Sequence, residues 1–272
     1  MTLALRAFVL LIAFLSMSAA EAAAQNLDRV FGNTKGAFVL YDMKSNRYVR
    51  HNPGRARLRF TPASTFKITN SLIGLETGVV RDADFRISWD RQRYPNEDRP
   101  NTAPFIHWWQ DHTLRSAIKY SVVWYYIEIA RNVGAERMQK YVRQFRYGNG
   151  DTSGGIEQFW RNSSLQISAE EQVDFLRRFY TGKLPVSSRS TGIVKDILLL
   201  EETPSYRLSG KTGAAPFEGG TLAWFVGYLE REGNVYFFAL NMDGANYEAI
   251  RDERINLTKR ILVELGYLPR RY

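Results

Sequence analysis

The apolar run Gly36–Asp42 (GAFVLYD), followed by Arg47–His51, predicts a β-hairpin turning at Lys44–Asn46. Apolar positions recur along Ser64–Thr77 up to Gly78, a pattern that predicts a helix closed by a glycine. Residues 113–145 read as two or three helices broken near Gly134, and Ser168 with Glu171 forms a capping box that opens a helix to about Tyr180. Thr221–Glu230 and Asn234–Met242 are strongly apolar and aromatic and are joined by Arg231-Glu232-Gly233, as central antiparallel strands would be. A last helix over about Tyr247–Leu265 carries an apolar stripe at Ile250, Leu257, Ile261 and Leu265. Strands at both ends of the chain with helices between them predict an α/β fold of the α+β type. One antiparallel sheet is flanked by N- and C-terminal helices, with an all-helical lobe inserted. The sheet lobe takes about 25–60 and 200–272 and the helical lobe about 61–199, and the seam between them is where a cleft is expected.

Residues 1–24 stand apart. Arg6 precedes the apolar run Ala7–Met17, and Ala22-Ala23-Ala24 supplies small residues for cleavage near Gln25, which reads as a secretory signal peptide. The apolar run is shorter than the roughly 20 residues a membrane span needs. With that leader removed, residues 25–272 suffice for one large domain with a real core, and export of this kind points to the periplasm. Cysteine is absent, which a chain of this size tolerates even where disulfides are permitted. The formal charge of +9 favours anionic small molecules. Its arginines are scattered among acids rather than gathered in a basic block or helix, which argues against a nucleic-acid partner. The three histidines, His51, His107 and His112, lack metal-ligand spacing, so no metal is expected.

Chemistry concentrates in two segments. In Pro62-Ala63-Ser64-Thr65-Phe66-Lys67 a serine and a lysine three residues apart share one helical face. A serine hydroxyl is inert until a base takes its proton, and amides at a helix N-terminus can receive an oxyanion. The motif alone is weak, because Ser116-Ala117-Ile118-Lys119 repeats it. The apolar turns after Ser64 (Ile68, Leu72, Ile73, Leu75) imply a buried Lys67. The bland alternative is a capping serine and a surface lysine. Lys211-Thr212-Gly213 follows Tyr206–Ser209, which reads as an edge strand facing Ser64. Lysine and threonine there can hold a substrate carboxylate, glycine lets a ligand approach the strand, and the Ala214 amide can complete an oxyanion hole with that of Ser64.

A helical Ser-x-x-Lys with a downstream Lys-Thr-Gly resembles the penicillin-recognising serine enzymes. Further elements in order narrow the likeness: Ser121-Val122-Val123, Tyr147-Gly148-Asn149, Gly154-Gly155-Ile156 leading to Phe159-Trp160, Trp224-Phe225-Val226-Gly227 and Asn241-Met242-Asp243. Over nearly all of residues 25–272 the chain resembles the class D, oxacillinase-type serine β-lactamases, with their β-lactamase/transpeptidase-like fold. The resemblance implies hydrolysis of penicillin-like β-lactams and hence resistance to them. Ser64 would be the acylated nucleophile and Lys67, carrying a carbamate made from CO2 (an N6-carboxylysine), the general base. Ser121 would shuttle a proton to the leaving nitrogen, Val123 would pack near the carbamate, and Trp160 would donate its indole N–H to it. Lys211, Thr212, Gly213 and an arginine of the last helix would hold the substrate carboxylate. Beyond CO2 or bicarbonate no cofactor is implied. Taken singly, Trp160 and Val123 would read as core and Tyr147-Gly148-Asn149 as an ordinary turn.

Arg254 is favoured over Arg251 as the carboxylate arginine, because it occupies the apolar stripe between Ile250 and Leu257, where a charge needs a reason; snorkelling at the stripe's edge is the alternative. Two features depart from the family pattern. Ala214–Ala223 is short, with a small residue where relatives often place an aromatic, and Arg161 stands after Trp160 where an apolar residue is common. A cell-wall D-alanyl peptidase would share both lysine motifs but usually has asparagine where Val123 stands. A β-lactam sensor domain would acylate without turnover and be tethered to membrane spans.

Overall fold

The strongly apolar strands are apolar because both faces of their sheet are covered. The computed structural model describes residues 27–96 and 102–269; the expected leader lies outside them. In chain order the strands are β1 (Gly36–Asp42), β2 (Arg47–His51), β3 (Arg86–Ile87), β4 (His112–Thr113), β5 (Leu199–Thr203), β6 (Tyr206–Phe217), β7 (Gly220–Arg231) and β8 (Asn234–Gly244). Among the described residues β3 and β4 make a small ribbon. The other six form one antiparallel sheet in the order β2-β1-β8-β7-β6-β5.

Alternation along each strand sorts side chains to two cores. Val39, Trp224, Val226, Tyr228, Phe237 and Ala239 face one side, towards most of the helices. Phe38, Leu40, Phe225, Leu229, Phe238 and Leu240 face the other, against helical residues 27–31 and the C-terminal helix. Burying each such large apolar side chain stabilises the fold by about 1.5–3 kcal/mol.

The central helices are Leu114–Lys119, Val123–Val133 and Ala135–Gln144, the last two separated at Gly134. Ala169–Tyr180 opens on the Ser168–Glu171 capping box. That helix, grouped with the inserted helices in the sequence reading, in fact lies across the sheet: the Tyr180 ring meets those of Tyr228 and Phe237 at 5.0 and 5.5 Å. The expected last helix is two, Tyr247–Arg251 and Glu253–Glu264, interrupted at Asp252. Ile250, Leu257 and Ile261 are buried as their spacing implies, whereas Leu265 is only half-buried and Leu262 takes its place in the core. The short helix Pro53–Arg57, the helix Ser188–Ile197 and strand β5 have no counterpart in the sequence reading.

Candidate active site

The first turn bearing the nucleophile is tighter than an α-helix. Residues Ala63–Phe66 form a 3-10 turn that continues as the α-helix Lys67–Glu76, in place of a single α-helix from Ser64. In a 3-10 turn residues three apart eclipse one another, which sets Lys67 Nζ 2.6 Å from Ser64 Oγ. The turn is braced from behind: Thr65 Oγ1 donates to the Pro62 carbonyl at 2.7 Å and accepts from Gln172 Nε2 at 2.9 Å. Ala63 has a left-handed backbone (φ 48°), a conformation that costs a non-glycine residue of order 1–3 kcal/mol and persists only where surroundings enforce it.

Lys67 is 1 % exposed, the degree of burial its apolar neighbours imply. Burial holds its amine well below the ordinary lysine range, and the charges of Lys211 and Arg161 push in the same direction. In the rival motif the serine serves a helix cap. Ser116 Oγ accepts from the Thr113 amide at 2.9 Å in the capping box of Leu114–Lys119, and Lys119 is exposed.

A cavity of about 850 Å³ opens over Ser64 and is lined also by Ser121, Val123, Thr212, Gly213, Ala214 and Arg254. Ser121 occupies the turn between Leu114–Lys119 and Val123–Val133 with a left-handed φ of 57°. The fold therefore brings together residues that lie up to 190 positions apart in the chain.

Strand β6 corrects one expectation. Tyr206–Ser209 is not an edge, since β5 covers it. The strand runs on through Lys-Thr-Gly to Phe217; the Gly210 amide still donates to the Leu198 carbonyl at 3.0 Å, and beyond it the strand pairs only with β7. The free edge is therefore the half that carries Lys211, Thr212, Gly213 and Ala214. Gly213 also lets β6 close on the nucleophile's turn: a Cβ there would sit 3.0 Å from the Pro62 carbonyl oxygen and 3.1 Å from Thr65 Cγ2. Lys211 is 5 % exposed, donates to the Thr212 carbonyl at 3.0 Å, and is pushed down to about 7 by burial and by the neighbouring Arg254. Arg254 is equally buried and donates through Nη1 to the Gly213 carbonyl at 2.6 Å. Arg251 also borders the cavity but is paired with Glu248 and Asp252.

Trp160 is buried away from the cavity lining and stacks on Phe66, the residue before Lys67, at 5.7 Å and 21°. Its carbonyl accepts from Thr61 Oγ1 at 3.1 Å, tying its loop to the approach of the nucleophile turn. Tyr147-Gly148-Asn149 holds that loop. Gly148 has a φ of 55° and passes so close to the Gln166 carbonyl that a Cβ would stand 1.9 Å from its oxygen. Asn149 Nδ2 donates to the Ser164 carbonyl at 2.7 Å, while its Oδ1 accepts from the Gln166 amide at 3.0 Å.

Residues 36–262 match the penicillin binding protein transpeptidase domain. The chain is 40 % identical over 236 residues to β-lactamase OXA-48 of Klebsiella pneumoniae, covering 87 % of this chain and 85 % of that one. It is 38 % identical over 271 residues to β-lactamase OXA-5 of Pseudomonas aeruginosa, covering 96 % and 97 %. The solved class D β-lactamase YbXI from Nostoc superposes with a TM-score of 0.81 at 41 % identity, over 89 % of this chain and 99 % of that one. The chain belongs to the class D serine β-lactamases. The regulatory protein BlaR1 of Bacillus licheniformis is also similar, 35 % identical over 87 % of this chain, but the match spans only 38 % of its own length.

In this β-lactamase the cavity has further walls that the motifs did not disclose: Pro104, Phe105, Trp108, Tyr120, Tyr247 and Arg161. Tyr120 was findable as the neighbour of Ser121, and Tyr247 as the residue two helical turns before Arg254. Phe105 and Trp108 belong to an aromatic-rich stretch that carries no periodicity and so reads as loop.

Proposed function

We propose that Ser64 is acylated by penicillin-like β-lactams and that the acyl-enzyme is then hydrolysed, with a carboxylated Lys67 as general base, so that the protein confers β-lactam resistance. One observation carries this reading: a buried Lys67 Nζ lies 2.6 Å from the Oγ of Ser64, which lines an open cavity. Lys67 takes the Ser64 proton as Oγ attacks the lactam carbonyl carbon, and the carbon–nitrogen bond breaks as Ser121 passes a proton to the leaving nitrogen. Ser64 and Ala214 supply backbone amides to the developing oxyanion. Lys211, Thr212 and Arg254 receive the ring carboxylate. Water activated by the base then attacks the acyl carbon, and Ser64 recovers its proton.

The surroundings fit a carboxylated lysine. Only a neutral amine captures CO2, and burial favours that form; the positive charges of Lys211 and Arg161, which disfavour an ammonium, favour an anion in its place. When formed, the carbamate supplies an anionic oxygen base. Trp160, stacked on Phe66, is the donor proposed to hold it. We place the mature protein in the periplasm, on the strength of residues 1–24. Among the described residues no helix is long and apolar enough to cross a membrane.

The similarity to BlaR1 supports a second reading, a sensor that is acylated once and does not turn over. The match to OXA-48 over 85 % of that enzyme's length favours the hydrolase. Hydrolysis of a chromogenic cephalosporin separates the two: continuous turnover supports the hydrolase, a single stoichiometric burst the sensor, and D-alanyl peptidase activity with slow acylation would overturn both.

A further inference from the structure

The turn that carries Ser121 is held from outside the known motifs. Ser121 has a left-handed backbone (φ 57°), and a non-glycine residue stays there only when its flanking peptides are fixed. On the far side the Val122 amide donates to the Ala117 carbonyl at 2.9 Å. On the near side the Tyr120 carbonyl accepts from the indole Nε1 of Trp108 at 2.9 Å. Trp108 is itself anchored: its carbonyl accepts from Trp124 Nε1 at 2.7 Å, and its amide donates to the Phe105 carbonyl at 2.9 Å. His112 Nε2 bonds to the His107 carbonyl at 2.8 Å, and the His107 ring stacks on Tyr120 with centroids 4.2 Å apart. Yet Trp108 also lines the cavity over Ser64. One indole residue thus both lines the substrate's space and bonds the peptide immediately before Ser121.

We propose that Trp108 is a positioning residue for Ser121, its indole N–H fixing the Tyr120–Ser121 peptide so that the Ser121 hydroxyl is aimed into the cavity. This rests on the acyl-enzyme reading, in which Ser121 carries the proton to the leaving nitrogen. It goes further in assigning Trp108 a role in the rate of acylation besides that of a wall. A misplacement of the hydroxyl by a fraction of an ångström slows proton transfer while leaving carboxylate binding untouched. A residue that is only a wall would act on the dissociation constant of the non-covalent complex.

The test is Trp108→Phe, which keeps an aromatic wall and removes the N–H. Stopped-flow kinetics with benzylpenicillin and a chromogenic cephalosporin should show the acylation rate constant falling roughly ten- to a hundredfold, with the deacylation rate constant and the dissociation constant of the non-covalent complex changed less than about twofold. Combined with Ser121→Ala, the same substitution should add nothing further, as expected of two residues acting through one group. Additive losses, or a change confined to the dissociation constant of the non-covalent complex, would overturn the proposal. Thermal unfolding of each variant separates this from a folding defect. Should Trp108→Phe not fold, Trp124→Phe, which loosens Trp108 through its carbonyl, should give a smaller loss confined to acylation, and a normal acylation rate there refutes the idea. A wild-type protein that penicillin never labels would instead count against the acyl-enzyme reading itself.

Discussion

Arg254 and Gly213 are joined across the active site: the guanidinium of the C-terminal helix donates to the carbonyl of strand β6 at 2.6 Å. The arginine proposed to receive the substrate carboxylate therefore also braces the strand that carries Lys211, Thr212 and Ala214. Arg254→Ala should raise KM for carboxylate-bearing β-lactams, with a loss of about 1.5–3 kcal/mol for a charge-assisted bond. It should also lower kcat, because β6 is released. Arg251→Ala removes only a rim charge already paired with Glu248 and Asp252 and should change either constant less than about threefold. Steady-state kinetics of the two variants decide it, and equal effects would sink the assignment.

The two Ser-x-x-Lys motifs should separate cleanly by mass spectrometry. Ser64→Ala should abolish both turnover and covalent labelling by penicillin. Ser116→Ala should keep labelling and instead lose about 1 kcal/mol of stability, as removal of a helix N-cap partner does. A penicilloyl adduct on any residue other than Ser64 would be inconsistent with the site.

Gly213→Ala distinguishes two uses of a glycine. Its Cβ would press on the Pro62 carbonyl, on Thr65 and on the Cβ of Trp224 at 3.0 to 3.3 Å, all held in packed structure. Strand β6 would have to retreat by a few tenths of an ångström from the nucleophile turn. The expected result is a fall in kcat of roughly tenfold or more in a protein that still folds. A rise in KM alone would mean that the glycine serves ligand approach after all.

What could be read from the sequence followed the physics of each element. Sheet strands buried on both faces gave continuous apolar runs in Gly36–Asp42, Thr221–Glu230 and Asn234–Met242, and the Ser168–Glu171 box marked its helix because a cap has a fixed spacing. Strand β5 was missed because Leu199–Thr203 is an edge with exposed Leu200, Glu202 and half-buried Glu201, so it lacks a core-facing pattern. That omission displaced the edge from Lys211–Phe217 to Tyr206–Ser209. The place of Arg254 at the cavity was legible because a charge interrupts an apolar stripe. Trp108 was not, because its partner is a backbone carbonyl twelve residues away, and such bonds leave no trace in side-chain order. The 3-10 turn at Ala63–Phe66 was equally hidden, since spacing by three suits both helix types.

The two buried lysines should impose opposite limbs on the pH profile. Burial, reinforced by Lys211 and Arg161, lowers the Lys67 amine well below its ordinary range, so the proposed base function and CO2 capture should persist to lower pH than an ordinary lysine allows and fade as acid reprotonates the amine. Lys211, pushed down to about 7, must be protonated to hold a carboxylate, so KM for such substrates should climb as pH rises above about 7. The same shifts bear on folding. Below its native pKa each lysine is charged in both states and bears its full burial cost. Between that value and about 10.4 the unfolded chain binds a proton that the folded protein does not, so stability should rise with pH across this window. Arg161→Leu removes a positive charge beside Lys67, which makes the ammonium easier to form and a carbamate anion harder to keep. Both consequences have one sign: the acid limb should move to higher pH, and the variant should depend more on added bicarbonate. Burst kinetics with and without bicarbonate, together with carbon-13 NMR after equilibration with labelled bicarbonate, measure this. A degassed wild-type enzyme that keeps full steady-state activity and shows no carbamate resonance would mean that Lys67 acts as a plain amine; an acid limb unmoved in Arg161→Leu would mean that this arginine does not reach it.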